Sequence, residues 1–332
     1  MTNSGPAIGV IGTGSLGFHH ARVLAGLGGL CMAGVFDLDP DRSRHAATEL
    51  GVERHESLDS LLSAADAVVV AVPTVDHEDV ALAALDRGVH VLIEKPMAPS
   101  LAAADRILAA AEASGAVVQI GHIERFNAAV LAAEPYLLEP LFIESHRLAP
   151  FVARGTDVAV VLDLMIHDVD LVQSLVTGDI SDIAATGIPI FTDTVDIASA
   201  RLSFESGAVA NLTASRVSVE PMRKLRIFQA SGYLSLDLAA GTGEFLQLKR
   251  GLPVFSQDRV WEGVGDGGLA SLVDRIELVG EDAEPLALEL ENFRDAVQSL
   301  APPAVSGRDG RSALAVSLAI EERIKRHVAD TH

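Results

Sequence analysis

Ala7-Ile-Gly-Val-Ile-Gly-Thr-Gly-Ser-Leu-Gly17 is the stretch that decides the fold. Ala7–Ile11 is a continuous apolar run of strand length, and helix signals run from Leu16 to Leu27. Between them Gly12-Thr13-Gly14-Ser15-Leu16-Gly17 spells G-x-G-x-x-G. In this order the three glycines have separate physical tasks. Gly12 permits the tight turn, Gly14 lets the backbone approach a pyrophosphate, and Gly17 lets the helix pack on the strand. The unpaired N–H groups of the helix start then face the phosphates. A second strand, Cys31–Asp37, ends on a carboxylate 20 residues past Gly17. Asp37 there accepts hydrogen bonds from the adenosine ribose and repels a 2′-phosphate. The expected cofactor is NAD, in preference to NADP. Arg42 and Arg44 fall in the following helix and are expected to face solvent.

Outward from this motif, apolar runs and helical patterns alternate. A helix over Pro40–Leu50 precedes a strand at Ala67–Val72, a helix near Asp76–Asp86 and a strand at Val89–Ile93. A helix at Leu101–Ser114 and a strand at Val117–Ile120 follow. This rhythm predicts an α/β fold with a parallel sheet. After Ile123 it changes: one helical stretch covers Val158–Val176, and strand-and-turn patterns fill Ile180–Lys249. Ile197–Phe204 and Ala208–Ser218 flank Ser206-Gly207 as a hairpin, and Leu225–Gln229 pairs with Leu234–Leu238. Helices at Leu286–Leu300 and Arg311–His327 close the chain. The expected domains are 1–123, binding the dinucleotide, and 124–332, binding substrate, with the final amphipathic helix free to pack back on the first. Gly241–Gly268 is glycine-rich and has no clear pattern.

Bulk composition removes several classes of function. A net charge of −21 over 332 residues argues against nucleic-acid binding, which needs a basic face. Cys31 is the single cysteine, so intramolecular disulfides and cysteine zinc clusters are excluded, and no metal is expected. No apolar run approaches the roughly 18 residues of a membrane span, and a cytoplasmic enzyme is expected.

Hydride transfer from an alcohol needs a base for the hydroxyl proton and a cation for the developing oxyanion. Glu94-Lys95-Pro96 follows a strand at the carboxyl edge of the sheet, where ligands of open α/β sheets bind. Lysine occurs at only four positions, which draws attention to this one. Asp163 and His167 lie at i and i+4, one face of a helix, where a histidine can move a proton beside an orienting carboxylate. The same spacing suits a metal pair, but no third ligand is evident. Arg147, Arg154 and Arg216 carry planar forks that suit a diphosphate. Arg125 and Asn127 follow the last strand of the first domain and are placed to reach cofactor or substrate; His122 reads equally as a core histidine.

These pieces, in this order, resemble the glucose–fructose oxidoreductase / inositol dehydrogenase family, Gfo/Idh/MocA. The resemblance spans nearly the whole chain. It rests on Val10–Gly17, Val72-Pro-Thr-Val-Asp-His77, Glu94-Lys-Pro96, Gly121-His-Ile-Glu-Arg-Phe-Asn127 and Asp163-Leu-Met-Ile-His-Asp168. It implies a Rossmann domain, a second α+β domain with a large open, mainly antiparallel sheet, and a homodimer or homotetramer built through that sheet. It also implies a catalytic group of Lys95, Asp163 and His167, a cis Lys95–Pro96 bond, and cofactor contacts from Pro73, Thr74, His77 and Glu94. Asn127, Arg147 and Arg154 would face the substrate. The wording around Asn127 and Asp163 is similar to a subgroup that oxidises the 3-hydroxyl of UDP-N-acetylglucosamine, except that Ala128 stands where its members usually carry proline. Within such a family the substrate is a nucleotide sugar, an inositol or a free aldose. Relatives also include NAD-retaining glycosidases and a non-catalytic dinucleotide sensor.

Overall fold

A strand with apolar side chains on both faces needs cover on both, and β1 (Ala7–Ile11) has four of its five residues buried. The computed structural model describes residues 5–152, 158–249 and 272–331. Its contacts divide the chain into two compact units: Met1–Phe126 with Ala283–Ala315, and Asn127–Asp282 with Val316–His332. The expected boundary at 123/124 thus moves past Phe126, and a segment near the chain end returns to the first unit.

In the first unit, α1 (Ser15–Gly26) leads to β2 (Cys31–Phe36) and α2 (Pro40–Leu50). The start of α2 follows from its sequence. Asp39 Oδ1 accepts the N–H of Asp41 at 3.0 Å, and Pro40 fills the first position, where its missing N–H costs nothing. A short helix that the sequence pattern does not announce, α3 (Leu58–Ala64), is capped by Ser57. Then come β3 (Ala67–Val70), α4 (His77–Leu85), β4 (His90–Glu94), α5 (Leu101–Ser114) and β5 (Val118–Gly121). The five strands are parallel in the order β2-β1-β3-β4-β5. This order reverses direction between β1 and β3, so the crevice at their carboxyl ends is where a ligand binds.

In the second unit, α6 (Ala128–Ala133) and β6 (Pro140–Leu148) precede a π-helical turn, Val161–Met165, that runs into α7 (Ile166–Leu175). The single α-helix expected over Val158–Val176 is therefore shorter and mixed in kind. Strands β7 (Ile180–Ile188), β8 (Ile197–Phe204), β9 (Val209–Ser215), β10 (Met222–Gln229), β11 (Gly232–Asp237), β12 (Thr242–Leu248) and β13 (Val273–Val279) join β6. Among the described residues they form one eight-stranded sheet in the order β13-β12-β11-β10-β6-β9-β8-β7. Every pair is antiparallel except β6–β9. Most of the glycine-rich stretch lies outside the described residues.

Burial alternates along the strands, as in β8 and β10, so one face is apolar and covered. On the other face Phe142, Phe228 and Tyr233 stand in register across three strands, half-buried, with ring centroids 5.8 and 5.2 Å apart. The last helices are α8 (Pro285–Val297) and α9 (Gly307–Thr331). Leu286, Leu290 and Phe293 of α8 enter the core of the first unit beside Ile8, Val10 and Val35.

Candidate active site

The glycine turn after β1 is built as its sequence requires. Gly12 has φ +87°, and a Cβ there would lie 2.6 Å from the Ala71 carbonyl oxygen. A Cβ on Gly17 would come within 1.8 Å of the Gly12 oxygen, so the helix packs this closely only with glycine. Gly14 caps α1 without a side-chain bond, and a Cβ there would meet no atom within 4 Å. Its backbone is therefore unobstructed on that side. Asp37 holds the turn from the next strand: its Oδ2 accepts the Thr13 N–H at 2.6 Å and the Thr13 hydroxyl at 3.1 Å. Its Oδ1 accepts the Asp39 N–H at 2.8 Å.

These residues open on a cleft of about 670 Å³, within the usual range for cofactor sites. Gly12, Gly14, Ser15, Leu16 and Asp37 line it together with Pro73, Thr74, His77, Glu94 and Lys95. The two groups read from separate motifs thus share one wall-to-wall space. Arg42, expected to face solvent, also lines it. Thr13 and Gly17 lie behind the lining, one bonding Asp37 and the other packed on Gly12. Arg125 sits half-buried on the turn Ile123–Phe126 and is not among the lining residues.

His77 works as a clip as well as a lining residue. Its ring lies 3.0 Å from each of two carbonyl oxygens, Val72 after β3 and Pro96 after β4. Burial pulls its pKa below the ordinary histidine value, against the opposing effect of those carbonyls. The Lys95–Pro96 bond is cis. Glu94 is 7% exposed and accepts the Lys95 N–H at 3.1 Å and the His20 Nε2–H at 2.7 Å. Burial pushes the Glu94 carboxyl up, but His20, Lys95 and the backbone N–H together bring it below the usual carboxylate range. Gly121 must lack a side chain because a Cβ would press on this carboxylate at 3.0 Å.

Asp163 and His167 belong to the second unit and flank the junction of the π turn with α7, both half-buried. Single π turns are frequent at functional sites. Among the expected substrate contacts, Asn127 caps α6, accepting the Ala129 N–H at 3.0 Å and donating to the Leu238 oxygen at 2.8 Å. Ala128 is thus the first helical residue, a position that accepts proline because its N–H has no intrahelical partner to lose. Arg147 is 4% exposed, and its Nε and Nη2 each donate to Asp168 at 2.9 Å. This face of its fork holds a carboxylate of α7 where a diphosphate was expected. Arg216 is similarly held by Asp196, Thr194 and the Val158 oxygen. Arg154 lies outside the described residues.

Two participants escaped sequence reasoning. His20 is fully buried on α1, and Glu289 is fully buried on α8. With Glu94 they form, among the described residues, a group whose ligand atoms lie within 4.8 Å of one another. The signal for Glu289 was present: it sits in the apolar stripe Leu286, Leu290, Phe293 at helical spacing.

Comparison with known proteins fits this geometry. Residues 7–122 match the model of an oxidoreductase family with an NAD-binding Rossmann fold, and residues 109–235 match the GFO/IDH/MocA C-terminal domain. A UDP-N-acetylglucosamine 3-dehydrogenase of Acidithiobacillus ferrooxidans is 37% identical over 324 residues, 96% of each chain. The chain belongs to the Gfo/Idh/MocA family. A crystal structure of the Acidithiobacillus enzyme matches this Gfo/Idh/MocA chain with a TM-score of 0.86 at 34% identity, covering 97% of this chain and 98% of the other. A myo-inositol 2-dehydrogenase of Thermotoga maritima is 28% identical over 96% of each chain. The family's cofactor is NAD, and the protein is a dehydrogenase acting on a CH–OH group. Among the described residues no helix is long and apolar enough to cross a membrane.

Proposed function

We propose that this dehydrogenase oxidises the 3-hydroxyl of a UDP-N-acetyl-hexosamine. The observation that carries the chemistry is Lys95 in the lining of the same cleft as Gly14 and Asp37. The full-length similarity to an enzyme named for that reaction supports the substrate. NAD, when bound, supplies the hydride acceptor. His167 takes the proton of the sugar hydroxyl, Lys95 stabilises the oxygen as its charge develops, and Asp163 orients the histidine. Cofactor contacts come from Gly12–Gly17, Asp37, Pro73, Thr74, His77, Glu94 and Arg125. Asn127, Arg147 and Arg154 are the substrate contacts of this reading; Asn127 also bonds the Leu238 oxygen, and Arg147 also bonds Asp168 of α7. The half-buried Phe142–Phe228–Tyr233 row supports joining of copies through the open sheet face, as a homodimer or homotetramer. Part of the same reading is a cytoplasmic location.

The test is NADH formation with UDP-N-acetylglucosamine, with inositol and glucose in parallel. Activity with the nucleotide sugar alone is expected. Lys95→Ala should lower kcat at least about 10²-fold, the weight of one oxyanion-stabilising group, while NAD still binds. Turnover near the unaltered rate would remove Lys95 from the mechanism. Activity with inositol or glucose alone would keep the mechanism and change the substrate.

A further inference from the structure

Glu289 is a carboxylate that the proposed chemistry does not use, in a place where a carboxylate is hard to keep. It is 0% exposed, on the face of α8 that buries Leu286, Leu290 and Phe293. Among the described residues neither of its oxygens meets a hydrogen-bond donor. Among the histidine, cysteine and acidic side chains of the described residues, His20 and Glu94 lie within 4.8 Å of its carboxylate. Glu94 is already ionised and engaged, accepting from His20 at 2.7 Å and from the Lys95 N–H at 3.1 Å. A second bare anion beside it would be buried without a donor and repelled by a like charge, a combination proteins relieve by protonation. Burial, and then the charge of Glu94, push the Glu289 carboxyl well above the usual carboxylate range.

Other charged groups lie on the elements packed against α8: His20 and Arg22 on α1, and Glu124 and Arg125 on the turn Ile123–Phe126. Glu94 and Lys95 stand at the end of β4, and Glu291, Arg294 and Asp295 on α8 itself. Arg22 is paired with Glu284 and Arg294 with Asp295, so Glu94 is the charge that bears on Glu289.

We propose that Glu289 is a positioning residue, held as the neutral acid. It leaves Glu94 as the single anion of the pocket and so keeps the Glu94–Lys95 wall of the dinucleotide cleft tied to His20 on the glycine-turn helix. The cluster links three elements: α1, which carries the turn; β4, which carries Glu94; and α8, which comes from the far end of the chain. Loss of the Glu289 proton puts two anions in one dry pocket and pushes the Glu94 carboxylate off its two donors. The inference rests on NAD binding in this cleft and not on which sugar is oxidised. The direct His20–Glu94 bond favours a proton over a metal ion as the partner of Glu289, because an ion would have to part that pair.

NADH binding to the full chain, followed by fluorescence from neutral to alkaline pH, tests this. Above the titration of Glu289 the affinity should fall by about tenfold per pH unit, the linkage slope of one required proton. Glu289→Gln, neutral at every pH, should bind NADH as the unaltered protein does at neutral pH and should lose the alkaline slope. An equal slope in both proteins overturns the proposal. So does a folded Glu289→Gln variant that no longer binds NADH at neutral pH, because the charged form would then be the working one. Carbon-13 NMR of the unaltered protein, labelled at glutamate Cδ, gives a second arm that survives misfolding of the variant. One glutamate side chain should remain protonated at neutral pH, and finding none overturns the proposal. One equivalent of divalent metal in the purified protein overturns it as well. Failure of NADH to bind the unaltered protein is a failure of the cofactor reading, and the NMR arm still decides the proton.

Discussion

Replacing Arg147 by methionine separates the two roles that its sequence context allows. The guanidinium and the Asp168 carboxylate are 5% and 2% exposed, and two parallel bonds of 2.9 Å join them. At about 1.5–3 kcal/mol for each charge-assisted bond, the two bonds are worth roughly 3–6 kcal/mol before the cost of drying both charges is subtracted. Removing one partner of a buried pair costs about 3–5 kcal/mol by an independent route, because the other charge stays behind. The two figures agree. With a urea slope of about 3 kcal/mol/M, the unfolding midpoint of Arg147→Met should fall by about 1–1.7 M. The double variant Arg147→Met/Asp168→Leu removes both charges and should regain most of that loss, since apolar replacement of a whole buried pair is often neutral. Circular dichroism against urea reads all three proteins. A single variant within about 1 kcal/mol of the unaltered protein, or a double variant less stable than the single one, would refute the reasoning.

Two further outcomes test the cleft. Asp37→Ala removes the acceptor of Thr13 and of the ribose; NAD affinity should fall about tenfold to a hundredfold, with the preference over NADP narrowing. Calorimetric titration with both cofactors checks it, and an unchanged ratio would separate Asp37 from cofactor choice. His77 is buried with its pKa below the ordinary 6.5, so the unfolded chain takes up the proton first as pH falls. Stability from His77 is therefore full above about pH 6.5 and is lost as pH drops through its folded value; His90, also lowered by burial, adds with the same sign. Replacing His77 with glutamine should flatten the fall in melting temperature below neutrality, and an unaltered fall would assign it to other groups.

The first unit was readable because its strands are buried on both faces. Ala67–Val70 is apolar throughout, and a run of that kind needs no alternation to be seen. Asp37 was readable because its place is fixed by distance along the chain from the glycine turn. The arginines were not. A guanidinium fork fits phosphate and carboxylate equally, and nothing local says that Asp168, on α7, meets Arg147 on β6. The π turn carries no period that differs visibly from an α-helix over five residues. His20 stayed hidden because it is ordinary on its own helix; Glu289 stood out in the apolar stripe of α8, but only the folded chain brings the two beside Glu94.

The return of Ala283–Ala315 to the first unit bears on how the chain folds as it is made. Leu286, Leu290 and Phe293 fill the core around Ile8 and Val35, the Gln119 side chain bonds the Glu289 backbone oxygen, and Gln119 bridges Ser306. A ribosome that has released Phe126 has therefore delivered a sheet whose flank is still bare. Roughly 190 more residues must emerge, which takes about 10–40 s at ordinary synthesis rates. Through that interval the flank of the nascent sheet stays uncovered, and a messenger cut short before Ala283 yields a chain whose first unit lacks α8.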